Sequence, residues 1–200
     1  MRDQTMLNNC TIIGNTVDPE RPTIAIVGAR MCSEYGRYMS RRLATEIAEA
    51  YPDMQFISGM SLGIEGIAAK AALDKERDVF FVLGCGADVV YPPENQVLYD
   101  KAKERGGIIS RLENGTQPKP EHFSGRNKLI AELADTIIII EARKKSGTML
   151  FADFAAELGK EVYVLPGRVT DRLSDGTNEL LKRGAKMITC VEDLEIDKGV

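Results

Sequence analysis

Residues 123–148 read FSGRNKLIAELADTIIIIEARKKSGT and compress a basic helix start, a wholly apolar run and a glycine turn into one stretch. Residues 137–140 are four consecutive isoleucines, which suits a strand buried on both faces in the middle of a parallel sheet. Glu141 ends that burial, and Arg143, Lys144 and Lys145 lead into Ser146-Gly147-Thr148 and a helix expected from about Met149. In an open α/β sheet, ligands collect outside the carboxyl ends of the strands. Helix starts there present unpaired N–H groups to anions, so the stretch places an anion site at a strand end.

Outward from it, strand and helix alternate along the chain. Apolar runs at 23–28, 54–57, 79–83, 108–111, 161–165 and 186–189 read as further strands. Helical segments are expected at about 34–51, 66–73, 95–105, 126–134 and 174–183, the first capped by Ser33 with Tyr38, Leu43, Ile47 and Ala48 on its inner face. Such alternation gives an α/β fold, a Rossmann-like, mostly parallel sheet with helices on both faces. Residues 1–22 carry little periodicity and are read as an N-terminal arm or linker ahead of a domain spanning 23–200. Asn114-Gly115, Pro118 and Pro120 mark an exposed loop before the quoted stretch.

The bulk composition narrows the function. With 200 residues, 44% of them hydrophobic and 28% charged, the chain is sized for one soluble domain. A net charge of -4 argues against coating duplex nucleic acid by overall charge, so any nucleic-acid site must be a local basic groove. Cys10, Cys32, Cys85 and Cys190 lie far apart without C-x-x-C spacing and read as reduced thiols. His122 is the sole histidine, which leaves little material for a histidine metal site or a Ser-His-Asp triad. No segment is long and apolar enough to span a membrane, and the polar start is no signal peptide; the expectation is a cytoplasmic protein with no cofactor and no metal.

Several strand ends carry groups suited to phosphate: Gly28 and Arg30 after the first strand, Ser58-Gly59 after the second, and Arg126-Asn127-Lys128 on the helix before the isoleucine run. Lys144 with Ser146-Gly147-Thr148, and then Arg168, extend the series. Points spread along one crevice suit a run of phosphates better than one. A dinucleotide is disfavoured, because the first βα turn lacks G-x-G-x-x-G and no acidic residue ends the second strand. Each candidate also has a plainer reading. Arg30 and Ser146-Gly147 could cap helices, and one of Lys144 and Lys145 could simply be solvated. The glycines from Gly59 to Gly66 could serve packing, while Phe123 could be core rather than a stacking surface for a base. Cys85 reads as a structural thiol, and Glu65 and Glu141 as capping or orienting carboxylates rather than acid and base.

Val27-Gly28-Ala29-Arg30, the run from Ser58 to Gly66, Tyr91-Pro92-x-Glu94-Asn95, Phe123-x-x-Arg126-Asn127, Glu141-Ala142 with Ser146-Gly147-Thr148, and Pro166-Gly167 occur in this order. Together they resemble the DNA-processing protein A family, also called Smf, over residues 23–189. The resemblance implies a Rossmann-like domain that binds single-stranded DNA, forms a homodimer and helps load a RecA-type recombinase during transformation or recombination. It also implies that Arg30, Arg126-Asn127-Lys128 and the Ser146-Gly147 turn line a basic pocket and that no catalytic residue is needed. The chain departs from the family pattern at Glu65, Ala69, Ser124 and Lys128, where Asp, His, Pro and often Arg are usual. The alternative is a binding protein or hydrolase for a small nucleotide-derived ligand. Against hydrolysis, the P-G-G-x-G-T-x-x-E motif of the related phosphoribohydrolases is absent, with Phe151 at its glutamate position.

Overall fold

The computed structural model describes residues 4–196; the ends of the expected arm and domain, 1–3 and 197–200, lie outside the described residues. The elements are β1 (Thr11–Gly14), β2 (Thr23–Val27), α1 (Glu34–Ala50), β3 (Gln55–Ser58), α2 (Ile64–Asp74), β4 (Val79–Val82) and α3 (Gln96–Glu104). They continue as β5 (Gly106–Ser110), α4 (His122–Leu133), β6 (Thr136–Ile139), α5 (Gly147–Glu157), β7 (Glu161–Val164), α6 (Asp175–Lys182) and β8 (Lys186–Met187). The strands form one eight-stranded sheet in the order β1-β5-β4-β3-β2-β6-β7-β8. Every pairing is parallel except β1 on β5, so the α/β, Rossmann-like reading holds.

Period-two alternation divides the core. Ile24, Ile26 and Ile138 face one layer with Leu43 and Ile47 of α1, Ala68 and Ala72 of α2 and Leu98 of α3. Ala25, Val27, Ile137 and Ile139 face the other, with Leu129, Ile130 and Leu133 of α4 and Ala152 and Ala155 of α5. Ile137, Ile138 and Ile139 have no exposed surface; at about 1.5–3 kcal/mol for each fully buried side chain, this strand anchors the middle of the sheet.

Three expectations change. The arm of residues 1–22 is not wholly separate from the sheet, because Thr11–Gly14 pairs antiparallel with β5 in the register Thr11↔Ser110 to Gly14↔Gly107. Four residues with a half-exposed, irregular pattern carry too little alternation to announce an edge strand. Tyr38, expected on the inner face of α1, is 61% exposed; the helix instead buries Met39, Leu43, Ala44, Ile47 and Ala48. The α4 helix also starts one turn before Arg126, at His122, which moves Phe123 onto its first turn.

The chain order positions the site. From β2 the strands run outward through β3 and β4 to β5, and then the chain returns to lay β6 on the opposite side of β2. The carboxyl ends of β2 and β6 therefore diverge at a topological switch point, where α/β sheets hold their ligands.

Candidate functional site

At that switch point lies a cavity of about 420 Å³. Gly28 and Arg30 from the end of β2, Arg126 and Asn127 from α4, and Ser146, Gly147 and Thr148 at the start of α5 line it, so the fold brings these seven sequence candidates together. Gly59 lines a smaller recess of about 50 Å³ that shares Arg30, Ser61, Phe123 and Arg126 with the main cavity. Ser58, Lys128 and Lys144 line neither. Ser58 is buried, with its hydroxyl accepting the Met60 N–H at 3.2 Å, while Lys128 and Lys144 are exposed on the surrounding surface.

Arg126 forms the floor rather than the rim. Its side chain is 3% exposed and its guanidinium donates to Ser61 Oγ at 2.8 Å and Asn127 Oδ1 at 3.0 Å. Glu65, 9% exposed, lies 3.4 Å from Nη1 and also accepts the Ser61 N–H at 3.1 Å. Nε of Arg126 is buried without a hydrogen-bond partner. The guanidinium rests against Gly59, where any Cβ would overlap it, so the chain needs a glycine just after β3 for the arginine to lie there. The turn beyond is held by Asn95, whose Nδ2 donates to Met60 O at 2.8 Å; Met60 itself sits at φ 58°, in the left-handed region. Backbone of that kind persists only where its surroundings fix it, which gives Asn95 its structural part.

Phe123 is half-buried and stands between two cations. Arg30 Cζ lies 4.9 Å and Arg126 Cζ 5.5 Å from its ring centroid, and the Tyr91 ring is 6.1 Å away at 53°. Arg30 is exposed, so its positive charge faces solvent across an aromatic surface. On the far wall, the first-turn N–H groups of Gly147 and Thr148 have no intrahelical acceptor and add the positive end of the α5 dipole. Ser146 leaves them open, because its hydroxyl donates to Arg143 O at 2.8 Å instead of capping the helix.

Glu141 ties the β2 and β6 ends together. Glu141 is 2% exposed, and its carboxylate accepts the Ser33 N–H at 3.0 Å and the Ser33 hydroxyl and sits over the first turn of α1. Its backbone O accepts the Ala29 N–H at 2.9 Å. Both carboxylates therefore serve as the orienting partners anticipated from sequence. Cys85 is 1% exposed, its thiol donates to Val89 O at 3.2 Å, and burial pushes its pKa from 9.0 to about 11. That thiol stays protonated near neutral pH.

Sequence reasoning passed over Ser61 and Arg143, both of which line the cavity, and weighed Phe123 as core. The helical start at His122 is the signal that would have turned Phe123 toward the strand ends.

Known proteins place this geometry. The chain is 35% identical to the DNA processing protein DprA of Streptococcus pneumoniae over 86% of its own length and 60% of that protein. To protein Smf of Escherichia coli it is 33% identical, over 86% of this chain and 46% of that one. It thus spans about half the length of the curated relatives it matches. The X-ray structure of the Streptococcus pneumoniae protein matches with a TM-score of 0.85 at 31% identity, covering 94% of this chain and 68% of that one. DNA processing protein A from Helicobacter pylori, described for its single-stranded DNA binding mode, matches with a TM-score of 0.83 at 30% identity, covering 96% and 91%. Residues 10–197 fit the family model for DNA recombination-mediator protein A, and the chain belongs to that family.

Proposed function

We propose that this chain binds single-stranded DNA in the switch-point crevice and passes it to a RecA-type recombinase, acting as a cytoplasmic homodimer and not as an enzyme. The observation that carries the reading is the pairing of an exposed guanidinium with an aromatic ring at the mouth of a cavity walled by helix-start amides: Arg30 over Phe123, facing Gly147 and Thr148. Arg30 and the α5 amides take phosphates, and the ring offers a surface to a base. Arg126 supplies charge from the floor and holds the wall in place, with Gly28, Ser58, Gly59 and Asn127 shaping it. Lys128 and Lys144 extend the positive field beyond the rim. The likeness to the Helicobacter pylori protein supports the ligand class. Glu65, Glu141 and Cys85, the residues that would supply catalysis, are engaged in structural bonds, which supports binding over reaction. Among the described residues no helix is long and apolar enough to cross a membrane.

A second reading, a small nucleotide-derived ligand, draws on the cavity volume of about 420 Å³, which falls in the range of small-molecule pockets. Fluorescence anisotropy with labelled oligothymidine at two salt concentrations, competed by duplex DNA and by a mononucleotide, separates the two. Tight, salt-sensitive binding that duplex displaces poorly supports the strand. Arg30→Ala then lowers the salt slope by about 0.7, the value per phosphate contact on a single strand. Binding of the mononucleotide alone transfers the site to the small ligand.

A further inference from the structure

Several exposed cations among the described residues pair with a nearby carboxylate. Lys70 pairs with Asp74, Lys75 with Glu49, Lys103 with Asp100 and Arg183 with Asp153. At one end of the crevice five cations without such a partner cluster on two loops. Arg143, Lys144 and Lys145 after β6, and Arg168 and Arg172 after β7, are all exposed and make no ion pair among the described residues. The two loops are one surface, because Ala142 N–H donates to Leu173 O at 2.8 Å and the Gly176 N–H donates back to Ala142 O at 2.8 Å. Arg143 and Arg172 are the chain neighbours of that bonded pair, and Leu173 itself lines the cavity. The carboxylate nearest in the chain, Asp171, has an oxygen accepting the Leu173 N–H at 3.3 Å, and Asp175 is drawn into the first turn of α6.

The other end of the crevice has the opposite sign. Beyond the recess at Tyr91 and Gly84, exposed Asp88, Glu94, Glu113 and Glu121 surround the β4 and β5 ends, with Lys119 among them. Asp88 accepts the Gly115 N–H at 2.8 Å and so is fixed there. A phosphate chain leaving in that direction meets carboxylates; one leaving past α5 meets five unpaired cations.

We propose that a single-stranded nucleic acid leaves the crevice on one side only, over the ends of β6 and β7, where Lys144, Lys145, Arg168 and Arg172 form an outer phosphodiester-binding track. This rests on the crevice being the strand-binding site. Unpaired guanidinium and ammonium groups on two hydrogen-bonded loops bind backbone phosphates without reading sequence, and each contact releases counterions. The crevice therefore fixes one short segment, and the track adds affinity only for strands long enough to reach it.

The test compares labelled oligothymidines of about 4 and about 20 nucleotides, one short enough for the crevice and one long enough to reach the track. They are titrated across a salt series against the full chain, against Arg168→Ala/Arg172→Ala, and against Lys119→Ala at the acidic end. The expected result is that the double variant binds the short strand as the parent does, but loses much of the parent's preference for the long one. Its salt slope on the long strand falls by about 1.4, two contacts at about 0.7 each. Lys119→Ala leaves both strands unchanged. An unaltered long-strand slope in the double variant, an equal loss on both lengths, or a larger effect from Lys119→Ala overturns the track while leaving the crevice standing. Failure of the parent chain to bind either strand overturns the crevice reading and the track with it.

Discussion

Removing the Arg126 side chain tests the floor of the site most directly. In Arg126→Ala, Glu65, whose side chain is 9% exposed in the parent, keeps the Ser61 N–H at 3.1 Å but loses the guanidinium paired with it. Ser61 Oγ and Asn127 Oδ1 lose their guanidinium donors at 2.8 and 3.0 Å, and Phe123 loses one of its two flanking cations. Breaking a buried pair by removing one partner costs about 3–5 kcal/mol. For a chain of this size each kcal/mol moves the melting temperature by about 2–4 °C, so a fall of about 6–20 °C is expected. Adding Glu65→Gln removes the stranded charge while keeping an oxygen for the Ser61 N–H, and recovers about 1–3 kcal/mol. Calorimetry of the parent, both single variants and the double closes the cycle. A melting temperature for Arg126→Ala within about 2 °C of the parent, or a double variant no more stable than Arg126→Ala, refutes the account of Arg126 as a structural floor. It would return the residue to the role the sequence first suggested, a phosphate ligand whose loss flattens the salt dependence on a single strand by about 0.7.

Three further outcomes follow from the same geometry. Gly59→Ala forces the guanidinium off its seat, so strand affinity falls together with stability, by about 1–3 kcal/mol of buried hydrogen bonding read in urea unfolding; unchanged stability would place Arg126 elsewhere. Glu141→Ala releases Ser33 and the first turn of α1, costing about 1–3 kcal/mol in the same assay, and a neutral result would remove Glu141 as the link between β6 and α1. Burial raises the folded Cys85 thiol from 9.0 to about 11, so its contribution is whole below pH 9 and is lost as the pH climbs toward 11. Cys85→Ala should therefore lose less melting temperature than the parent between pH 9 and 11, and an identical decline would exclude Cys85 as a cause.

The fold was legible because its signals are local. Four isoleucines, glycines at strand ends and regular alternation each point to a buried parallel strand or a helix start, and, apart from the start of α4, the structure sets those elements within a residue or two of where the pattern places them. What escaped was set by tertiary context. The Thr11–Gly14 edge strand exists because β5 offers it a partner, and nothing in its own composition says so. Tyr38 fits an inner-face spacing, yet Met39 and Leu43 take that face where α1 packs against α2 and the sheet. The site shows the same division. Arg30 and the Ser146-Gly147 turn could be marked from position alone, whereas Arg126 reads as a surface cation until Glu65, 61 residues away in the chain, is seen beneath it. Phe123 could not be assigned before α4 was known to begin at His122, one turn ahead of the basic residues.

The loop that carries Arg30 is fastened at both ends to a single residue. Ala29 is bonded to the backbone of Glu141, and Ser33 to its carboxylate. A pull on anything gripped by Arg30 is therefore delivered to the ends of β2 and β6, two adjacent interior strands, which run parallel in the register Ile24↔Thr136 to Val27↔Ile139. The load reaches the sheet along its strands, as shear shared across the whole β2–β6 ladder, and not as a peeling force at the exposed β1 or β8 edge. If the proposed strand binding holds, a thread drawn out of this crevice pulls on the sheet's interior and not on its border.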